Sequence, residues 1–278
     1  MKGLYFMKTK YSCLFFFLAF LFNSYALGQD TFTNSIGMKF VYIKPGTFIM
    51  GSNSKEIKHV LENYPHEKQL DEIQHNVTLT QGYYMQTTEV TQLQWKKVMD
   101  TNPSFFSGCG DTCPVDNVSW NDAQLFIQKL NALENTNEYS LPTEAQWEFA
   151  CRAGSTTTFS SGKMTGLDNV LNLDAVAWYK GNSTQTTHPV ATKIPNRWNL
   201  YDMHGNVLEW CQNSKYRYPS YAVKDPPISF LDSGSKRVYR GGSWGDLPYA
   251  CRSAHRKDAE KTYRHKNLGF RIIKRVGS

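Results

Sequence analysis

Arg240-Gly-Gly-Ser-Trp244, Cys251-Arg-Ser-Ala-His-Arg256 and Asn267-Leu-Gly-Phe-Arg271 follow one another near the C-terminus, and Gly205-Asn-Val-Leu-Glu-Trp210 stands ahead of them. These blocks carry no sustained helical period, so they read as loops and short strands. The same character reaches back to Ser155, through Gly, Asn, Ser, Asp and aromatic residues with hardly a helical repeat. A long irregular stretch is normally a poor fit to a compact domain. It becomes tolerable when ions, disulfides or aromatic packing hold it. Seven Trp and sixteen Tyr supply buried bulk whose polar tips can pair with loop backbone.

The first half is more regular. Phe40–Tyr42 and Gly46–Gly51 alternate as a hairpin turning at Pro45-Gly46, and His75–Thr80 and Gly82–Gln86 read as strands. Thr91-Gln-Leu-Gln94 is a capping box ahead of Trp95–Met99. Ser119-Trp-Asn-Asp122 caps a second helix, with Ala123, Phe126, Ile127 and Leu130 on one face. Thr143-Glu-Ala-Gln146 caps a third, which ends in Cys151-Arg-Ala-Gly154 at a glycine. Apolar residues make up 40% of the chain, spread evenly with no repeat, low-complexity tract or linker. The expectation is one irregular, loop-rich α+β domain.

Residues 1–28 read as an export signal. Lys2, Lys8 and Lys10 give a basic start, Cys13–Phe22 is an unbroken apolar run, and Ala26 and Gly28 offer a cleavage site before Gln29. Met7 is an alternative start. The apolar run is too short for an ordinary membrane-spanning helix, and Cys13 lacks the small-residue context of a lipoprotein signal. The expectation is therefore an exported, periplasmic or secreted protein, residues 29–278, with no stable membrane anchor. The net charge of +7 falls to +4 without the three lysines of the signal. The remaining basic residues are scattered, so nothing suggests nucleic acid.

Cys109, Cys113, Cys151, Cys211 and Cys251 remain after cleavage, and an odd count leaves at least one thiol free or bonded between chains. Cys109-Gly-Asp-Thr-Cys113 turns tightly enough for a local disulfide; a metal site would need a histidine or second cysteine pair that the sequence does not offer there. Cys151, Cys211 and Cys251 sit beside aromatic residues and read as core positions.

The blocks in their order resemble the formylglycine-generating enzyme family, whose domain is also called the sulfatase-modifying factor domain. Gly37–Gly51 is similar to the family's opening strand pair. Thr88-Glu-Val-Thr91, Pro114-Val-Asp-Asn-Val-Ser-Trp120 and Leu141-Pro-Thr-Glu-Ala-Gln-Trp-Glu148 resemble its three helix starts, and Asn199–Asn206 precedes the Glu-Trp block. The resemblance covers nearly all of residues 29–278 and implies an α+β fold related to C-type lectins.

It also implies two metal expectations. Asp202, Gly205, Val207 and Glu209 fall where the family holds calcium, the two acids through side-chain oxygens and Gly205 and Val207 through carbonyls. Six to eight oxygens are what calcium takes. Asn172 and Asp174 are candidates for a second ion. The family's oxidases bind copper(I) with two cysteines, five positions apart, after the Gly-Gly-Ser step. Here Trp244-Gly-Asp-Leu-Pro-Tyr-Ala-Cys251 follows Ser243, with Asp246 near the place of the first cysteine. One soft thiolate and a hard carboxylate are a poor copper(I) site. Leu208 also replaces a tryptophan common in the family motif. Ser243 and Cys251 are thus the catalytic candidates, and copper-dependent cysteine oxidation is not expected.

His66, Glu67, Asp71, Glu72 and His75 form a polar stretch that reads either as substrate-groove lining or as a solvated loop. His188, His204, His255 and His265 have no spacing that compels a metal site. Three functional classes follow: maturation of an exported protein or peptide without the copper pair, a lectin-like module binding protein or glycan, and a structural envelope component. An active formylglycine-generating oxidase is the competing reading.

Overall fold

The computed structural model describes residues 30–67, 70–164, 170–226 and 234–277. The export-signal reading of residues 1–28 lies outside them. Helices and several small sheets alternate, as an α+β reading requires. Among the described residues no helix is long and apolar enough to cross a membrane.

All three capping boxes form. Thr91, Ser119 and Thr143 each accept the third helical amide, while Gln94, Asp122 and Gln146 bond back to the cap. The helices run Gln92–Met99, Trp120–Leu133 and Glu144–Arg152. Ala123, Phe126, Ile127 and Leu130 are buried as expected and pack with Trp95 and Phe270. A helix at Ser54–Asn63 has no counterpart in the sequence reading. Only Val60 of its residues is buried, so the apolar stripe that would have announced it is missing, and the Asn53 cap is its one local signal.

Strands Thr31–Thr33, Lys39–Ile43, Tyr83–Gln86, Ile273–Arg275 and Tyr139–Ser140 form one antiparallel sheet in that order, which brings the two ends of the domain together. The expected hairpin at Pro45-Gly46 does not exist. Lys39–Ile43 pairs with Tyr83–Gln86, whereas Gly46–Met50 pairs with His75–Leu79 in a second sheet. The Pro45-Gly46 step is a corner between sheets. A Cβ at Gly46 would stand 2.9 Å from the tip of the Phe149 ring, so glycine lets that ring lie close against the corner.

The signature blocks build a third sheet, Arg256–Glu260, Lys236–Arg240, Leu208–Trp210 and Leu268–Gly269, in which Leu208–Trp210 joins an antiparallel and a parallel neighbour. A two-stranded pairing of Ala177–Trp178 with His204–Gly205 carries the loop before it. Gly205 has φ 90°, and a Cβ there would lie 2.2 Å from the Trp178 carbonyl oxygen, so only glycine permits this approach.

Candidate active site without a copper pair

The arginines of the signature blocks are buried and each is locked to glutamate. Arg240 pairs with Glu148 and lies 3.2 Å from Glu144. Arg252 pairs with Glu72, and Arg256 grips Glu144 through two hydrogen bonds at 2.7 and 2.6 Å. Arg271 donates to both oxygens of Glu209 at 2.7 Å. Burial alone would raise Glu148, yet Arg152 and Arg240 pull its carboxyl below the ordinary value. These pairs fasten loops that lack a helical or sheet ladder, so much of the motif serves the fold. The same geometry resolves the 66–75 stretch. Glu72 is a buried partner of Arg252, and His75 is buried against Tyr218. Glu67 accepts from Tyr249 at 3.0 Å and from Lys257 at 3.3 Å.

Ser243 is buried at the start of the turn after Gly241-Gly242. Its Oγ donates to Asp246 Oδ2 at 2.5 Å and accepts from Asn267 Nδ2 at 2.9 Å. Asn267 Oδ1 in turn contacts His265 Nδ1, and Tyr263 stacks on His265. Beside this chain lies a cleft of about 160 Å³ lined by Leu208, Tyr239, Asp246, His255, Lys257 and His265 among others. Burial holds the Asp246 carboxyl above its usual range against the Ser243 hydrogen bond, and it pushes Tyr239 up to about 12. Larger grooves of about 440, 490 and 340 Å³ lie at Tyr216–Pro226, between Gln124 and Arg275, and between Asn53 and Met164, but none is lined by a residue of the Gly205–Trp210, Arg240–Trp244, Cys251–Arg256 or Asn267–Arg271 blocks. The smaller cleft is therefore the candidate site. No histidine touches Ser243; His265 reaches it only through Asn267, so an activated serine nucleophile is not assembled.

Cys109 and Cys113 form the local disulfide, with Cα atoms 5.9 Å apart. Cys151, Cys211 and Cys251 are free and buried. Burial, with Asp246 adding its charge, pushes the Cys251 thiol well above the ordinary range. No second thiol is paired with it, and Asp246 faces Ser243 instead. This donor set does not fit copper(I). Among the described residues no three His, Cys, Asp or Glu side chains converge as metal ligands.

The expected calcium loop is only partly free to hold an ion. Asp202 Oδ2 accepts from the Ala191 amide at 2.8 Å, while its Oδ1 is buried without a partner. Glu209 is otherwise engaged: besides Arg271, Trp147 Nε1 donates to it at 2.7 Å. As a second carboxylate ligand it is a poor match, because the Arg271 guanidinium already holds its charge. Asn172 and Asp174 also have protein partners. Asn172 Nδ2 donates to the Lys163 carbonyl, and Asp174 accepts from Tyr179 at 2.7 Å. Glu89 is fully buried and neither of its carboxyl oxygens has a partner. Burial first, then the charge of Asp202, raise it well above its ordinary value. Asn267, Lys257, Tyr239 and Tyr263 line the same cleft, and nothing local in the sequence places them together.

The chain is 28% identical to the chaperone protein LppX of Paenibacillus barcinonensis over an alignment of 221 residues that covers 61% of this chain and 71% of that protein. It is 31% identical to the formylglycine-generating enzyme of Streptomyces coelicolor over an alignment of 174 residues that covers 57% of this chain and about half, 51%, of the enzyme. Among solved structures, the Treponema denticola variable protein 1 superposes with a TM-score of 0.74 at 28% identity, over 90% of this chain and 99% of that one. Residues 29–276 match the profile of the sulfatase-modifying factor enzyme 1-like domain, and the chain belongs to that family.

Proposed function

We propose that this is an exported member of the family that recognises a protein or peptide at the Asp246–Lys257–His265 cleft beside Ser243 and does not oxidise cysteine with copper. The observation that carries the reading is the contrast at one place in the fold. Cys251 is a lone, buried, high-pKa thiol, while the adjoining cleft presents Asp246, Lys257, His265 and two tyrosines. A thiol that resists ionisation is a weak metal ligand and nucleophile. A small cleft with a few convergent polar groups suits a side chain or chain end of a polypeptide. The resemblance to a protein named as a chaperone is consistent with a polypeptide client. The Cys109–Cys113 disulfide supports an oxidising compartment, and hence export. A glycan ligand remains the alternative within the same binding class. A cation at the Asp202 loop belongs to this reading as a structural ion.

Two assays test it. Purified protein with copper, a reductant, oxygen and a Cys-x-Pro-x-Arg peptide should yield no aldehyde by mass spectrometry; turnover that Cys251→Ser abolishes would refute the reading. A displayed random-peptide library should enrich binders that Lys257→Ala and Asp246→Asn each weaken at least tenfold. Enrichment that both variants leave intact would move the site elsewhere.

A further inference from the structure

We infer that the cleft takes a carboxylate of its polypeptide ligand at Lys257, and that Glu67 of the chain itself holds this lysine until the ligand displaces it. The inference rests on the peptide reading above and gives the ligand a chemical class. Lys257 is the one lysine or arginine among the described residues that line the cleft. Its Nζ lies 3.3 Å from Glu67 Oε1, which also accepts from the Tyr249 hydroxyl at 3.0 Å. That hydroxyl has one proton to give, so His66 Nε2, 2.8 Å away, donates to it. The Tyr249 ring packs on Tyr64, with centroids 4.3 Å apart. A carboxylate of the chain therefore already sits on the ammonium at the edge of the cleft.

The third sheet builds the floor. Tyr239 and Lys257 are partners on adjacent strands, as are Leu208 and Leu268, and directly opposed residues share a face. All four line the cleft, so its floor is apolar with an ammonium and a phenol side by side. The Lys257 side chain is 47% exposed, and its long stem lets the head turn from Glu67 toward the cleft. His255 stands in the same lining, 4% exposed, with its Nδ1 buried and without a partner. Burial first, then the charges of Arg252, Lys257 and Arg240, hold this imidazole well below its ordinary value. The ring is thus neutral, in surroundings that are positive.

These groups select the ligand. Asp246 is the one acid in the described lining; its Oδ2 accepts from Ser243, and its charge faces Lys257 and His265. A cationic side chain would meet Lys257 and find Asp246 already engaged. A neutral one would leave Lys257 with Glu67 and gain nothing from it. A carboxylate accepts from Lys257 and from the Tyr239 phenol, which burial pushes up to about 12 and so keeps protonated. The 160 Å³ of the cleft holds about five waters at about 30 Å³ each, room for one acidic side chain or one chain end. The exchange costs little, because an ion pair as exposed as Lys257–Glu67 contributes little and Glu67 keeps the Tyr249 hydroxyl as donor.

The test uses the full chain and an array of random nonapeptides, each synthesised with a free and with an amidated C-terminus. Enrichment of Asp or Glu among bound amidated peptides identifies a side-chain carboxylate, and binding of the free acids alone identifies a chain end. By fluorescence anisotropy, each selected peptide should lose at least tenfold in affinity when its carboxylate becomes an amide. Glu67→Gln should tighten the carboxylate peptides about threefold and their amides less. Lys257→Met should weaken the carboxylate peptides at least tenfold and erase the acid–amide difference, which Lys257→Arg should retain. Thermal melting reports that the variants are folded. Acid and amide affinities within about twofold, in peptides that Asp246→Asn still weakens, would overturn the carboxylate and leave the cleft reading standing. Bound peptides indifferent to Lys257→Met, or an array with none bound, would overturn both. Carboxylate peptides that Glu67→Gln weakens would make Glu67 part of the binding surface and overturn its role as competitor.

Discussion

Replacing Arg271 with methionine should unfold more of this protein than any surface change, because it strips the partner from a carboxylate that has no access to water. Arg271 and Glu209 are both 0% exposed, and the guanidinium makes two charge-assisted hydrogen bonds to the carboxylate at 2.7 Å. After the substitution Glu209 keeps only the Trp147 indole donor. Breaking a buried pair from one side costs roughly 3–5 kcal/mol. The Tyr201 carbonyl, which accepted from Arg271 at 2.8 Å, is also left unpaired, adding about 1 kcal/mol. The unfolding constant should then rise by roughly three orders of magnitude. For a chain of this size the melting temperature should fall by about 10 °C or more. Urea unfolding followed by tryptophan fluorescence measures the change. Glu209→Gln keeps an acceptor for Trp147 while removing the charge, so the double variant Glu209→Gln/Arg271→Met should be more stable than the summed single costs by about 2 kcal/mol or more. A cost below about 1 kcal/mol for Arg271→Met, or strict additivity in the double variant, would refute the view that the C-terminal signature arginine is a structural clamp.

Asp116 supplies a pH signature. Burial, against hydrogen bonds from the Phe105 and Phe106 amides, raises its carboxyl to about 6. The folded state then holds a proton that the unfolded chain releases near 3.8, so stability falls as pH rises from about 4 to 6, by at most about 3 kcal/mol. Asp116→Asn should flatten that part of the urea-unfolding profile, and an unchanged slope would contradict the assignment. Reducing the Cys109–Cys113 bridge, or replacing both with serine, should cost only about 2 kcal/mol because the closed loop is short; non-reduced peptide mapping should find both cysteines oxidised. Gly205→Ala should cost about 2–4 kcal/mol in the same unfolding assay, since φ is 90° and the added methyl meets the Trp178 carbonyl; a neutral result would show that the loop can shift.

Legibility tracked the range of the interaction. The three capping boxes form because a cap and its third amide are neighbours in the chain, and the Cys109–Cys113 loop closes for the same reason. The Ser54–Asn63 helix was invisible because one buried residue cannot write a period into the sequence. The hairpin at Pro45-Gly46 was wrong even though both strands exist. Alternation marks a strand with one buried face, but it does not name the strand's partner. Here Phe149, from the Glu144–Arg152 helix, lies against the Gly46 corner, and the two strands pair in different sheets.

The site divides in the same way. The order of the blocks, from Gly37–Gly51 to Asn267–Arg271, carries the family, and the lone Cys251 after Gly241-Gly242-Ser243 carries the mismatch with copper. Both follow from residue identity and spacing alone. Only the tertiary structure assigns the charges. Asp202 and Glu209 look like one ion-binding loop in the sequence, yet Arg271, 62 positions from Glu209, claims that carboxylate. Arg252 and Glu72 meet across 180 positions. A buried charge is satisfied by whichever opposite group the fold brings within hydrogen-bond reach. That choice depends on packing across the whole domain, so local sequence cannot encode it.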